Sequence, residues 1–301
     1  MYDIIIVGGG PAGLTAALYA RRANKSVLII EKEIFGGQIT FSPKVENIPG
    51  FIEVSGNEFA EKLVDQVLNQ GAEVEMAEVT EIRDGEVKTV ITDDGEYTAK
   101  SVIIATGAKH RRLGLPGEDA LIGSGISFCA VCDGAFYTDK TVAVIGGGNS
   151  ALQEAILLCD LAKKVYVIQN LDFLTGEAKL QEQLSAKSNV EVILGTVLEG
   201  YIADGDDIKG VRTKSENNGT INEIELDGVF LAIGLVPQNE PFENILTLND
   251  YGYAETDETL VSCNGIFVAG DCRSKRIRQV ATAAADGAVA ALSACDYVDK
   301  L

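Results

Sequence analysis

An α/β fold with two Rossmann-like (three-layer ββα) nucleotide-binding domains is what this 301-residue sequence predicts. Three observations carry the prediction: a GxGxxG turn between two apolar runs near the N-terminus, the same pattern 138 residues later, and a late apolar run ending in Gly270-Asp271.

Ile4-Ile5-Ile6-Val7 is a buried-strand run that breaks into Gly8-Gly9-Gly10-Pro11-Ala12-Gly13. A helical stretch over 14–22 and a second strand over 27–30, ending in Glu31, complete a βαβ unit. Gly8 allows the tight turn, Gly10 lets backbone approach a pyrophosphate, and Gly13 lets the helix lie close to the strand. The free N–H groups at the helix start suit phosphates. Glu31 stands where a carboxylate accepts hydrogen bonds from an adenosine ribose. Alternating residues over 74–82 and 87–91, with turns at Asp84-Gly85 and Asp94-Gly95, predict antiparallel strands, and a strand over 102–105 closes with Thr106-Gly107. The second unit starts at Val142-Ala143-Val144-Ile145, turns at Gly146-Gly147-Gly148-Asn149-Ser150-Ala151, and ends in a strand over 165–168. Gly8 to Glu31 and Gly146 to Gln169 are the same 23 residues apart. After Pro237 and Pro241 the chain reads as a linker, and it closes with a strand into Gly270-Asp271 and a helix over about 279–294.

Composition removes several functions. The sole histidine, His110, supplies no multi-His metal site and reads as an exposed loop residue. A net charge of -20 opposes binding along a phosphate backbone, so nucleic acid is not an expected partner. No uncharged apolar run reaches the ~18 residues of a membrane span, and the N-terminal run reads as a strand rather than a signal peptide. The expected location is the cytoplasm, where thiols are normally reduced. Paired cysteines there suggest redox or metal chemistry, and Cys129-Ala130-Val131-Cys132-Asp133 is such a pair. At a helix start one thiol of a CxxC has a lowered pKa, and an adjacent acid can relay the proton of disulfide exchange. The alternatives are half of a zinc site, for which no second CxxC exists, and two inert buried cysteines; redox is favoured. Cys159, Cys263, Cys272 and Cys295 read as apolar fillers.

The order of Gly8-x-Gly10-x-x-Gly13, Gly36-Gly37-Gln38-Ile39, Val45-Glu46-Asn47-Ile48-Pro49-Gly50-Phe51, Ala105-Thr106-Gly107, Cys129-x-x-Cys132-Asp133, a second GxGxxA and Gly270-Asp271 resembles low-molecular-weight thioredoxin reductases over essentially the whole chain. The resemblance implies an FAD domain built from both ends of the chain, 1–114 and 243–301, with the second domain, 115–242, inserted between them and carrying the disulfide and a pyridine-nucleotide fold. It implies FAD held at Gly8, Gly10, Gly13, Glu31, Thr106 and Gly107. Asp271 would take the ribityl chain, with Gln38, Asn47, Arg278 and Gln279 near the isoalloxazine ring. Cys132 would face the flavin, Cys129 would exchange with thioredoxin, and Asp133 would be the acid/base. A homodimer is implied in the same way.

One departure stands out. Family members that use NADPH follow the strand after the second turn with His-Arg-Arg-x-x-x-Arg, whereas Gln169-Asn170-Leu171-Asp172-Phe173-Leu174-Thr175 holds no base and one acid. A 2′-phosphate of charge near −2 then meets no guanidinium fork. The combination resembles ferredoxin-dependent flavin thioredoxin reductases, which share the fold and lack the NADPH motif. A ferredoxin near −400 mV and a thioredoxin near −270 mV differ by ~130 mV, or ~6 kcal/mol for two electrons, so the direction is favourable. An acidic ferredoxin needs a local basic patch on so acidic a chain. Lys275 and Arg276, in the run Arg273-Ser274-Lys275-Arg276-Ile277-Arg278, are the candidate docking residues, and Lys109-His110-Arg111-Arg112 is a second run. A solvated face or an interdomain contact would also explain such runs. Two readings remain beside ferredoxin dependence: an NADH- or NADPH-dependent reductase with altered recognition, and a non-enzymatic flavin/disulfide sensor or partner subunit.

Overall fold

The computed structural model describes residues 1–42 and 45–301. It divides into a terminal unit, Met1–Lys109 with Val236–Leu301, and a central unit, His110–Leu235.

In the terminal unit strand Tyr2–Val7 lies between Val27–Glu31 and Glu96–Ile104 and is parallel to both. Glu73–Met76 extends this sheet on one side and Ile266–Val268 on the other. Both faces of the sheet are covered, which is why the first strand is apolar at successive positions. Ile4 and Ile6 enter one core with Leu14, Ala16 and Ala290, while Ile5 and Val7 enter a second with Val102, Phe242 and Val268. Helix Pro11–Arg22 meets the last helix, Val280–Val298, so closely that a Cβ on Gly287 would lie 2.1 Å from the Ala12 carbonyl oxygen. That contact joins the two ends of the chain in one unit.

The alternating stretch 74–82 is two strands rather than one. Glu73–Met76 pairs in parallel with Val27–Glu31, whereas Val79–Arg83 forms an antiparallel hairpin with Lys88–Thr92. At the break the Ala77 N–H donates to the Glu31 carbonyl and the Glu78 N–H to Asp93 Oδ1. Alternation continues across this break, so period alone does not mark it. The stretch after Pro237 is no loose linker either. Asn239, fully buried, donates to the carbonyls of Gly252 and Cys272 at 2.9 and 2.7 Å, and Phe242 is buried in the second core. These contacts draw residues 236–242 into the terminal unit.

The central unit holds a parallel sheet in the order Val190–Ile193, Lys164–Ile168, Thr141–Ile145, Gly228–Leu231, Ile126–Ser127, and a three-stranded antiparallel sheet, Thr196–Asp204, Asp207–Ser215, Ile221–Glu225. Val142 and Val144 face one core and Ala143 and Ile145 the other, repeating the arrangement of the terminal unit. Each unit therefore presents a glycine turn at the carboxyl end of its middle parallel strand, the position at which open α/β sheets bind ligands. Among the described residues no helix is long and apolar enough to cross a membrane.

Candidate functional site: a dinucleotide cradle and a redox disulfide

The first glycine turn is shaped by backbone contacts that leave no room for side chains. Gly8 has φ +109°, and a Cβ there would lie 2.4 Å from the Ala105 carbonyl oxygen; one on Gly13 would lie 1.9 Å from that of Gly8. Gly10 differs, since a Cβ would meet nothing closer than the Gly36 oxygen at 4.0 Å, so its surroundings are open. Gly10 also caps helix Pro11–Arg22 without a side-chain hydrogen bond, which leaves the first turn's N–H groups for an anion. Glu31 braces the turn: Oε2 accepts the Gly9 N–H at 2.6 Å and Oε1 the Glu33 N–H at 2.8 Å. Each oxygen keeps a lone pair for a ribose hydroxyl.

The other expected cofactor residues of this unit come from distant parts of the chain, and two pairs of them meet, Asn47 with Gln279 and Arg278 with Asp271. Thr106 Oγ1 lies 3.4 Å from Asn239 Oδ1, and Gly107, at φ +71°, faces open space. Asn47 Nδ2 donates to Gln279 Oε1 at 3.2 Å across 232 residues of sequence. Gln38 is exposed on the short turn Gly37–Phe41. Arg278 lies 4.1 Å over the Tyr253 ring and donates to the Asp271 carbonyl oxygen. Asp271 Oδ1 is buried and has no hydrogen bond; its nearest cation is Lys275 Nζ at 3.2 Å. Burial raises the Asp271 carboxyl above its usual range, with Lys275 opposing.

The basic run after Asp271 behaves otherwise than a docking surface requires. The Lys275 side chain is only 7% exposed, and its ammonium lies 3.0 Å from Asp286 Oδ2 as well as beside Asp271. Arg273 forks onto the same Asp286 through Nε and Nη2 at 2.9 and 2.8 Å. Burial alone would raise Asp286, but these two cations hold it below the usual carboxylate range. The buried Asp286 and the half-buried Asp271 thus turn Lys275 inward, which corrects its expected place on the surface; Arg276 remains exposed. In the other basic run Lys109 pairs with Glu33 and Arg112 with Asp119. His110 is not an exposed loop residue: it stacks on Phe128 at 4.5 Å, and burial with the Arg112 charge pushes its pKa down to about 4.

In the central unit Cys129 and Cys132 form a disulfide at a Cα–Cα distance of 5.3 Å. Cys129 caps the short helix Ala130–Asp133, with its Sγ accepting the Cys132 N–H at 3.2 Å. Asp133 Oδ2 accepts the Ser127 hydroxyl at 2.6 Å, and Oδ1 is buried without a partner. Burial raises this carboxyl, the Ser127 bond opposing, so it is suited to holding a proton beside the sulfurs. Ser127 was not legible as a site residue; nothing in its sequence neighbourhood separates it from any serine ending a strand. Of the remaining cysteines, Cys159, Cys272 and Cys295 are buried and Cys263 half-buried.

The second glycine turn keeps its backbone shape. Gly146 has φ +126°, and Gly148 caps helix Asn149–Cys159 without a side-chain bond. The strand that follows ends in Gln169, which is buried with its amide against Gly147, where a Cβ would lie 2.7 Å from it. Thr175 and Gly176 donate their N–H groups to the Gly147 carbonyl. Asn170, Leu171 and Thr175 are exposed, and no lysine or arginine occurs from 169 to 175.

The family model described as pyridine nucleotide-disulphide oxidoreductase matches residues 2–287. The thioredoxin reductase of Listeria monocytogenes is 41% identical over 303 residues, covering 100% of this chain and 95% of that protein. The Bacillus subtilis thioredoxin reductase is also 41% identical, covering 100% and 96%. The crystal structure of thioredoxin reductase from Streptococcus pyogenes superposes with a TM-score of 0.95 at 40% identity, covering 100% and 99% of the two chains. Members of this family are FAD-binding flavoproteins, and the cradle fits that cofactor: Gly10 leaves the approach open, the helix start has no side-chain cap, and Asp271 Oδ1 is a buried acceptor whose one close partner is the Lys275 ammonium. The chain belongs to the pyridine nucleotide-disulphide oxidoreductases and, within them, to the low-molecular-weight thioredoxin reductases, flavin-dependent disulfide oxidoreductases.

Proposed function

We propose that this enzyme takes electrons from reduced ferredoxin and delivers them through the Cys129–Cys132 disulfide to thioredoxin, as a homodimer in the cytoplasm. The observation that carries the reading is the segment from Gln169 to Thr175. Of its exposed positions, Asn170, Leu171, Phe173 and Thr175 hold no charge, and the one ionisable side chain, Asp172, repels a 2′-phosphate. FAD held by this cradle would supply one-electron acceptance and two-electron release to a disulfide, which suits a one-electron donor. In this reading Gly8, Gly10, Gly13, Glu31, Thr106, Gly107 and Asp271 hold the cofactor. Gln38, Asn47, Arg278 and Gln279 line its ring, Cys132 receives the electrons, Cys129 exchanges with thioredoxin, and Asp133 carries the proton. With Lys275 paired to two aspartates, Arg276 is the docking cation left in its run.

The intact shape of the second glycine turn favours a second reading, reduction by NADH or NADPH with altered recognition. One anaerobic titration separates the two. The purified flavoprotein is mixed first with NADPH, then NADH, then reduced ferredoxin, while flavin absorbance is followed. Bleaching by ferredoxin alone, slowed by Arg276→Glu at low salt, is expected. Rapid bleaching by either nicotinamide overturns ferredoxin dependence.

A further inference from the structure

Two buried carboxylate oxygens without a hydrogen bond lie in the central unit, Asp133 Oδ1 and Glu154 Oε2. Asp133 belongs to the redox helix. Glu154 belongs to helix Asn149–Cys159, which packs against it, and its carboxyl accepts the N–H of Ala130, the residue directly after Cys129. Its neighbours Leu152, Ala155 and Leu158 are wholly buried, so the acid stands at the edge of an apolar face. Burial pushes the Glu154 carboxyl up to about 8; the Ala130 bond opposes this and the Asp133 charge adds to it.

The elements packed against this helix bring little compensating charge. Strand Thr141–Ile145 has no titratable group. Strand Lys164–Ile168 brings Lys164, paired with Glu191, and Tyr166. Helix Ala178–Ser185 carries Lys179 and Glu182, both exposed. The redox helix brings Asp133, and Tyr137 follows it, un-ionised because burial and the Asp133 charge push it up to about 12.

We propose that Glu154 is a positioning acid of the disulfide site: as a neutral carboxyl it holds the Ala130 amide while the Cys129–Cys132 bond opens, and as a carboxylate it opposes the negative charge of the freed sulfurs. Two electrons from the enzyme's reductant break the Sγ–Sγ bond and leave two thiolates. Asp133 gives its proton to one, so that one thiol, one thiolate and one carboxylate remain. An ionised Glu154 would add a further negative charge to a buried space with no free cation among the groups named above. The reduced state is therefore disfavoured once Glu154 loses its proton.

The inference rests on the redox role of the cysteine pair and on no particular electron donor. Holoenzyme and its Glu154→Gln variant are equilibrated without oxygen in fixed ratios of reduced to oxidised dithiothreitol between pH 6 and 9. They are then quenched with maleimide, and labelling of the peptide holding Cys129 and Cys132 is read by mass spectrometry. Glutamine keeps an acceptor for Ala130 and the neutral charge. At pH 6 the two proteins should have equal dithiol-to-disulfide ratios, and at pH 9 the variant's ratio should exceed that of the wild type at least about threefold. Glu154→Leu, which lacks the acceptor as well, should diverge in the same direction at pH 9. Equal ratios at every pH overturn the role of Glu154. A pair that stays closed in both proteins at all ratios counts against the redox role itself.

Discussion

The Ser127 hydroxyl donates to Asp133 Oδ2 at 2.6 Å while accepting the Cys129 N–H at 3.1 Å, so one side chain links the acid to the backbone of a reactive cysteine. The bond favours the ionised form of Asp133 and opposes the upward push of burial. Ser127→Ala removes that opposition. The Asp133 proton should then be held to higher pH, moving the alkaline limb of the thiol-transfer rate upward by about one pH unit. Rates of dithiol–disulfide exchange with thioredoxin from pH 6 to 10 measure this. An alkaline limb in the same place would separate Ser127 from the acid's titration.

Glu31 and Gln169 occupy equivalent ends of the two βαβ units, yet only Glu31 ties its glycine turn with a carboxylate. Glu31→Ala should weaken FAD retention at least about tenfold, through the lost ribose acceptor and a loosened Gly9 turn. Gln169→Ala should leave FAD content unchanged, because that turn belongs to the other unit. Flavin stoichiometry after dialysis decides, and equal loss in both variants would remove the assignment of FAD to the first turn.

His110 gives a pH dependence whose sign follows from burial. Its folded-state pKa of about 4 lies below the ordinary 6.5, so folding favours the neutral ring. The resulting stability is fully present above pH 6.5 and is lost as pH falls from 6.5 towards 4, up to about 3 kcal/mol. His110→Phe keeps an aromatic ring on Phe128 and cannot protonate. Denaturant unfolding at pH 7 and pH 4.5 should show a smaller acid loss in the variant than in the wild type. The same loss in both would mean that His110 does not carry the effect.

The parts of the molecule legible in the sequence are those set by short-range backbone rules. Gly8, Gly13 and Gly146 announce themselves because no Cβ fits there, and doubly buried strands show as unbroken apolar runs. Cys129-x-x-Cys132 at a helix start is equally local. What was missed depends on partners far away in sequence. Lys275 reads as a surface charge until Asp286 and Asp271 are seen to enclose it. His110 reads as loop until Phe128 covers it. Ser127 and Glu154 become site residues only when a strand end and a following helix are brought against the redox helix. Asn239 lies in what composition calls a linker, and its bonds to Gly252 and Cys272 span 13 and 33 residues.

The missing 2′-phosphate reader can be rebuilt, because the positions it needs are at the surface. Asn170, Leu171 and Thr175 are exposed, so arginine at all three should cost little stability. Gln169 is left unchanged because it is buried against Gly147 and a larger side chain would have to displace that turn. Asp172 holds an Asn217 hydrogen bond at 2.9 Å and stays in place. Each guanidinium that reaches the phosphate adds a charge-assisted contact of about 1.5–3 kcal/mol. Allowing for side-chain ordering and incomplete geometry, NADPH affinity should rise at least about 100-fold over the wild type. The gain should shrink as salt rises, since exposed charges are screened over ~8–10 Å at 0.1–0.15 M. NADH lacks the phosphate and should gain far less. Calorimetric titration of the triple variant with both nucleotides, at low and high salt, makes the comparison. Equal gains for NADH and NADPH would point to a general electrostatic effect, and no gain for either would mean that the second turn fails to hold a nucleotide for reasons beyond its absent cations.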